Sequence, residues 1–300
     1  MRYFLGLMCL AAVGPGSLRA DPPALDGSWR VLLAHRGDAD ALDDPALRDS
    51  VVTIKGDRLE WKSADGKVSH FAATIVTREA KDKGALNELD LQPVGGKADK
   101  PLPGIYDLYL PDHLKISFHE TARPKGYSGG RQYTFFLLER VKPDSPRPKR
   151  TTGKDAELLL GTWTMLTSLD DASDKIRPGP HSGHVCVITK TRIEWKATSK
   201  SPTPSVGADY TIDPTKSPRA MDFRNTKGGN PAPPEDGYLP AIYEFIDDDT
   251  LKVCYPESGF KAGTPPQDRP RPTRFYSDGD RNLWVMKRQP TVASKEPVKP

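Results

Sequence analysis

Two histidines and a thiol lie close together in His181-Ser182-Gly183-His184-Val185-Cys186, a grouping that could hold a zinc ion. A closed zinc site needs four ligands, and no fourth stands at ligand spacing nearby. The segment also reads as a loop running into a strand, where loop histidines and a strand Cys are the simpler account. Asp247-Asp248-Asp249 has the charge for Ca²⁺ but lacks the spaced ligands of an EF-hand. A tight acidic hairpin turn explains it better. Gly95-Gly96-Lys97 and Gly228-Gly229-Asn230 are glycine loops with no helix behind them, so no helix N-terminus is there to receive a phosphate. No strand–turn–helix nucleophile elbow and no His-Glu-x-x-His are found. The residues therefore assign no catalytic group, no metal and no cofactor, and the expectation is a protein that is not an enzyme.

The elements that would position any site come in two sets. Asp26-Gly27-Ser28-Trp29 recurs as Leu160-Gly161-Thr162-Trp163, and each Trp is followed thirty-two residues later by another. These are Trp61 in Leu59-Glu60-Trp61-Lys62 and Trp195 in Ile193-Glu194-Trp195-Lys196. Four of the five Trp residues thus share one register, the mark of a tandem duplication. Tyr106 and Tyr243 continue the register, as do Lys115 and Lys252, and Arg140 and Arg288 end it.

Apolar residues alternate in short runs instead of recurring at three and four, so both copies read as strands with no convincing helix. Gly56-Asp57, Pro111-Asp112 and the Asp247–Asp249 run separate strand pairs as hairpin turns. Pro45-Ala46-Leu47-Arg48 offers a single helical turn. About eight strands fall in each copy. Alternation places Leu59 and Trp61 on one face against Glu60 and Lys62, and Tyr243 and Phe245 against Glu244. The charges fit an outer face of cross-strand pairs. A polar cavity is the other reading, and alternation alone leaves open which face is concave.

Residues 1–20 read as a signal peptide, with Arg2 before the apolar run Tyr3–Val13 and a cleavage site at Leu18-Arg19-Ala20. That run is too short to span a membrane. Its removal takes away two basic residues and lowers the net charge from +4 to +2, which speaks against nucleic-acid binding. The protein is expected outside the cytoplasm, in the periplasm, cell envelope or medium. Barrel-sized copies then occupy 25–142 and 158–289, a Pro-rich linker 143–157 and a disordered tail 290–300. Without core residues in the linker, the halves should fold separately. Cys186 and Cys254 are either a disulfide or two buried thiols, and the first copy has no Cys at the matching places.

Eight antiparallel strands tend to close, because closure removes exposed edges. Gly-x-Trp opening the first strand, with Arg ending the last, resembles the lipocalin signature. That resemblance implies an all-β fold of two tandem up-and-down barrels, with Gly27, Trp29 and Arg140 closing one and Gly161, Trp163 and Arg288 the other. The second copy also resembles a lipocalin-like repeat domain of unassigned function, abundant in exported planctomycete proteins. Arg192-Ile193-Glu194-Trp195-Lys196, Asp213-Pro214-Thr215-Lys216-Ser217-Pro218 and Arg271-Pro272-Thr273-Arg274-Phe275 carry that likeness. The first copy matches more loosely, without the Asp-Pro-x-Lys-x-Pro turn or the Arg-Pro-Thr segment. The implied function is non-catalytic binding of a small, apolar or lipid-like ligand in one or both barrels. The alternative is a structural or cell-envelope interaction module whose barrels are filled by side chains.

Overall fold

The computed structural model describes residues 25–36, 39–81, 85–95, 100–127, 133–142, 149–169, 184–196, 206–225, 238–256, 270–275 and 281–290. The expected signal peptide, the central part of the linker and nearly all of the expected tail lie outside them.

Within the first copy the alternating runs form β1 (Gly27–Arg36), the two-residue β2 (Ala39–Asp40), β3 (Val51–Lys55) and β4 (Arg58–Lys62). They continue as β5 (Ser69–Arg78), β6 (Asn87–Pro93), β7 (Leu102–Leu110), β8 (His113–Phe118) and β9 (Thr134–Arg140). β1 and β3 to β9 pair antiparallel in sequence order, and β9 returns to β1, which closes an eight-stranded barrel. β2 folds back on the end of β1. The second copy comprises β10 (Gly161–Leu169), β11 (Val185–Ile188), β12 (Arg192–Lys196) and β13 (Val206–Asp213). It ends with β14 (Arg219–Asn225), β15 (Tyr238–Asp247), β16 (Thr250–Pro256) and β17 (Arg281–Arg288), and it too is a closed barrel. The architecture is all-β, two tandem antiparallel barrels of eight strands.

The strand period sets what each barrel holds. Leu59, Tyr106, Ile116 and Leu138 join Trp29 in the first interior, and Trp61 packs against them. Ile193, Tyr243, Phe245 and Trp284 join Trp163 in the second, with Trp195 against them. Glu60, Lys62 and Glu194, alternating with these residues, point outward. Cys186 belongs to the second interior and Cys254 to a cluster outside that barrel. The two thiols therefore lie on opposite faces of the barrel wall and form no disulfide.

That outer cluster is a third core, and it lies between the barrels. Leu32, Leu33, Phe135 and Leu137 of the first copy are buried in it with Leu166, Ile242, Ile246 and Val285 of the second. A β-bulge in each opening strand helps to make this face. Pairing of β1 with β9 shifts between Val31 and Leu33, and that of β10 with β17 between Met165 and Thr167. An extra residue in a strand breaks the strict alternation. Leu32 and Leu33 consequently both face outward, while Val31 and Ala34 stay in the interior.

The linker differs from the extended spacer that its prolines imply. Lys149 O accepts from Asp248 N at 2.8 Å, and Arg150 Nε donates to Ile246 O at 2.6 Å. Asp155–Leu159 forms a short helix, α1, across the expected boundary, and Leu159 is buried against the second interior. Five residues are too few for helical periodicity to show, and packing rather than propensity holds the turn.

Candidate functional site

In each barrel, the opening Trp is fully buried and its Nε1 donates to a carbonyl four residues earlier. Trp29 reaches Leu25 O and Trp163 reaches Leu159 O, both at 2.9 Å. The last-strand Arg pairs directly across from it in the register, Trp29 with Arg140 and Trp163 with Arg288. Each guanidinium carbon lies over the indole, at 4.1 Å for Arg140 and 4.2 Å for Arg288. Each guanidinium also reaches carbonyls just before the first strand, and Arg288 Nε pairs with Asp249 at 3.0 Å. Arg140 Nη1 donates to Asp26 O at 2.7 Å, and Arg288 donates to Leu160 O and Leu158 O. Gly27 and Gly161 have φ of +142° and +131°, and a Cβ there would meet Arg Nη1 at 2.8 and 3.0 Å. Glycine is thus needed for its conformation and for the close approach of the guanidinium. These six residues come together as two packing units, with no open position for a reacting group.

The barrel interiors are lined by large side chains at the described positions. Above Trp163, Trp195, Phe223, Tyr255 and Trp284 form an edge-to-face cluster, with Tyr255 and Trp284 4.5 Å apart. Trp61, Phe136 and Phe118 make the first-barrel counterpart. Trp61 Nε1 donates to Ser50 Oγ at 2.7 Å, whereas Trp195 Nε1 has no partner among the described residues.

The sequence's candidate chemistry disperses. His181 lies outside the described residues. His184 gives its backbone carbonyl to Met165 N, and burial pushes the Cys186 thiol up to about 12, so it stays protonated. The Asp247–Asp249 run is a hairpin turn in which Asp247 accepts from Asp249 N at 2.8 Å and Thr250 Oγ1 at 3.0 Å. Gly126-Tyr127-Ser128-Gly129-Gly130 has the spacing of a nucleophile elbow, though no strand leads into it and its last three residues lie outside the described set.

Asp247 also belongs to a ring of four charges between the barrels. Arg30 meets Glu139 and Asp247, both at 2.5 Å, and Lys287 meets Glu139 at 2.8 Å and Asp247 at 3.9 Å. Each barrel supplies one cation and one anion. Burial alone would raise both carboxyls, but Arg30 and Lys287 hold them below the usual range. A second ion group lies beside it. Lys252 Nζ is fully buried, 2.7 Å from Asp40 and 3.2 Å from Glu244, and 4.3 Å from the centre of the Phe275 ring. Burial would lower its pKa, yet the two carboxylates outweigh that and raise it. These charges sit where alternation places them, on the outer strand face. The other barrel is what buries them.

Beside the Lys252 group opens a cleft of about 650 Å³. Five parts of the chain wall it, one of them Tyr243, Glu244 and Phe245 of β15. The first copy contributes Asp43 and Arg48 from its 3-10 turns, and the linker contributes Arg150, Thr151 and Thr152. The β13–β14 hairpin contributes Lys216, Ser217, Pro218 and Arg219, and the Arg-Pro segment contributes Thr273, Arg274 and Phe275. Asp213 shapes the hairpin by accepting from Thr215 N at 3.0 Å and Oγ1 at 2.6 Å. Arg271 fixes the last segment by donating to Met221 O and Ala241 O and pairing with Asp222 at 2.6 Å. The first copy does carry an equivalent of this segment, contrary to the expectation from its sequence. Arg123 donates in the same way to Leu89 O and Gly104 O and pairs with Asp90 at 2.7 Å. Lys125-Gly126 stands there where the second copy has Thr273-Arg274. A shared Arg-Pro is too short to align by sequence, and the common hydrogen bonds reveal it.

The class that this fold and site define is an all-β tandem-barrel protein with a polar cleft between its repeats. No protein-family model matches the chain, and no curated protein matches it. Among solved structures it is similar to a protein of unknown function from the DUF3598 family of Nostoc punctiforme. The identity is 13% over 88% of this chain and 96% of that one, with a TM-score of 0.23. Among the described residues no helix is long and apolar enough to cross a membrane.

Proposed function

We propose that this is an exported, non-catalytic binding protein of lipocalin-like ancestry whose ligand site is the cleft between the repeats. In this reading the barrels are solid supports rather than ligand cups. The supporting observation is the convergence on one cleft of both copies and the linker, while large side chains occupy the described barrel interiors. Small eight-stranded barrels can be filled in this way. A volume of about 650 Å³ lies within the range of small-molecule sites. The lipid-like ligand suggested by the lipocalin resemblance suits these polar walls poorly. Export rests on the N-terminal segment and is checked by sequencing the secreted protein, which should begin at Asp21.

The test is native mass spectrometry of the full mature chain purified without denaturant. A small molecule should travel with the wild type and be absent from Thr273→Trp, in which an indole fills the cleft from an exposed position. A ligand retained by Thr273→Trp would return attention to the barrel interiors.

A further inference from the structure

The cleft walls are unequal in charge. Arg48, Arg150, Lys216, Arg219 and Arg274 face two carboxylates, Asp43 and Glu244. Glu244 is already engaged, by Lys252 at 3.2 Å and Arg48 at 3.5 Å. Two of the guanidiniums are held by groups outside the cleft lining. Arg219 Nη1 meets the buried Asp155 carboxylate at 3.2 Å, and the Tyr243 hydroxyl donates to the same carboxylate at 2.6 Å. Arg150 donates from Nε to Ile246 O and from Nη2 to Asp49. A guanidinium fixed on one side keeps further N–H groups for a ligand and loses less freedom when it binds one. Lys216 and Arg274 stand exposed on the rim, and Thr151, Thr152, Ser217 and Thr273 add hydroxyls. The chain as a whole is only weakly basic, so this surplus is local.

We propose that the cleft takes a small, multiply charged oxyanion, a phosphate, sulfate or polycarboxylate group gripped by Arg150, Lys216, Arg219 and Arg274. This rests on reading the cleft as the ligand site. Planar guanidiniums match the paired oxygens of such groups, and charge-assisted bonds are roughly twice as strong as neutral ones. The grip needs no covalent step.

Isothermal titration of the full mature chain at low salt tests this with inorganic pyrophosphate, sulfate and citrate, and with myo-inositol as a neutral comparison. At least one anion should bind with a submillimolar Kd and inositol should not. Which anion binds separates phosphate, sulfate and carboxylate as sources. Lys216→Glu/Arg274→Glu, at exposed positions, should weaken binding by about tenfold or more without moving the melting temperature. Thr273→Trp should abolish it. No anion binding by the wild type would overturn the oxyanion inference. Inositol binding that Thr273→Trp blocks and the charge reversal spares would overturn it too, while leaving the cleft as the site. Anion binding unchanged in both variants would mean general surface charge and would overturn the inference and the cleft reading together.

Discussion

Replacing Lys252 by Met would remove a cation that joins carboxylates from different barrels, the buried Asp40 and the half-buried Glu244. At an effective dielectric of about 20, charges 2.7 Å and 3.2 Å apart attract by roughly 6 and 5 kcal/mol. Desolvation of the ions, several kcal/mol each, cancels most of that. The net worth of the group is therefore small, but the cost of breaking it is not. Lys252→Met leaves the buried Asp40 without its cation, while Glu244 keeps Arg48, and removing one partner of a buried pair costs about 3–5 kcal/mol. Asp40→Asn should cost less, because Lys252 keeps Glu244 and the amide oxygen can still accept from Leu42 N. Urea unfolding of the two single variants and the double variant would give the coupling directly. The pH dependence gives a second check. Lys252 has its pKa raised in the folded state, so its contribution is complete below the unfolded value of about 10.4 and is lost as pH rises through the folded value. The stability gap between wild type and Lys252→Met should be level from pH 7 to about 10 and close above that. A variant within about 1 kcal/mol of wild type at pH 7 would refute the reasoning.

The remaining expectations concern the barrel ends, a second lysine and the cooperativity of the chain. Trp163→Ala should lose about 3–5 kcal/mol in urea unfolding, and a wild-type midpoint would exclude the end-plug role. Arg288→Lys should fall between wild type and Arg288→Ala, since it keeps charge but loses the stack on Trp163. Gly161→Ala should cost about 1–3 kcal/mol, and less when Arg288 is already Ala, because part of its penalty is the contact with Arg288 Nη1. Burial lowers Lys115 to about 8, so the unfolded chain binds the extra proton between there and about 10.4. This group alone should make stability rise with pH across that window, and urea midpoints of Lys115→Met should lack the rise seen in wild type. Finally, the shared core predicts a single unfolding transition and, after cleavage at a protease site inserted between Lys142 and Lys149, fragments that stay together. Each fully buried Leu or Phe on that face contributes about 1.5–3 kcal/mol, which separate halves would forfeit. Fragments that separate and each melt as in the intact chain would restore the independent folding implied by the sequence.

Repetition and alternation are what a sequence displays openly, and they reach only part of this molecule. The Gly, Trp and Arg positions are legible because they recur at one spacing, and Val185–Ile188 and Arg192–Lys196 are strands to the residue. Alternation groups Leu59 with Trp61 and Tyr243 with Phe245 on one face, and closure of the barrels makes that face the interior. The contact between barrels is not legible. Alternation would put Leu33 with Val31 in the interior, and a bulge, which leaves no mark in composition, turns it out. Ion pairs such as Lys252 with Asp40 join residues far apart in the chain, and nothing in their local spacing announces them. The cleft is hidden for the same reason. Its hairpin and its Arg-Pro segment each stand out as motifs, yet only the folded chain sets them side by side with the linker.

One pair in the charge ring has a consequence for how such a molecule avoids itself. Glu139 immediately precedes Arg140, and Lys287 immediately precedes Arg288, so the two stand at the same station of their repeats and touch at 2.8 Å. Equivalent stations thus meet across the contact between the barrels, with a carboxylate in one copy and an ammonium in the other. Two first barrels meeting at this station would set carboxylate against carboxylate, and two second barrels would set ammonium against ammonium, each a repulsive pairing. The charge difference at this one station therefore favours the meeting of unlike copies over like ones.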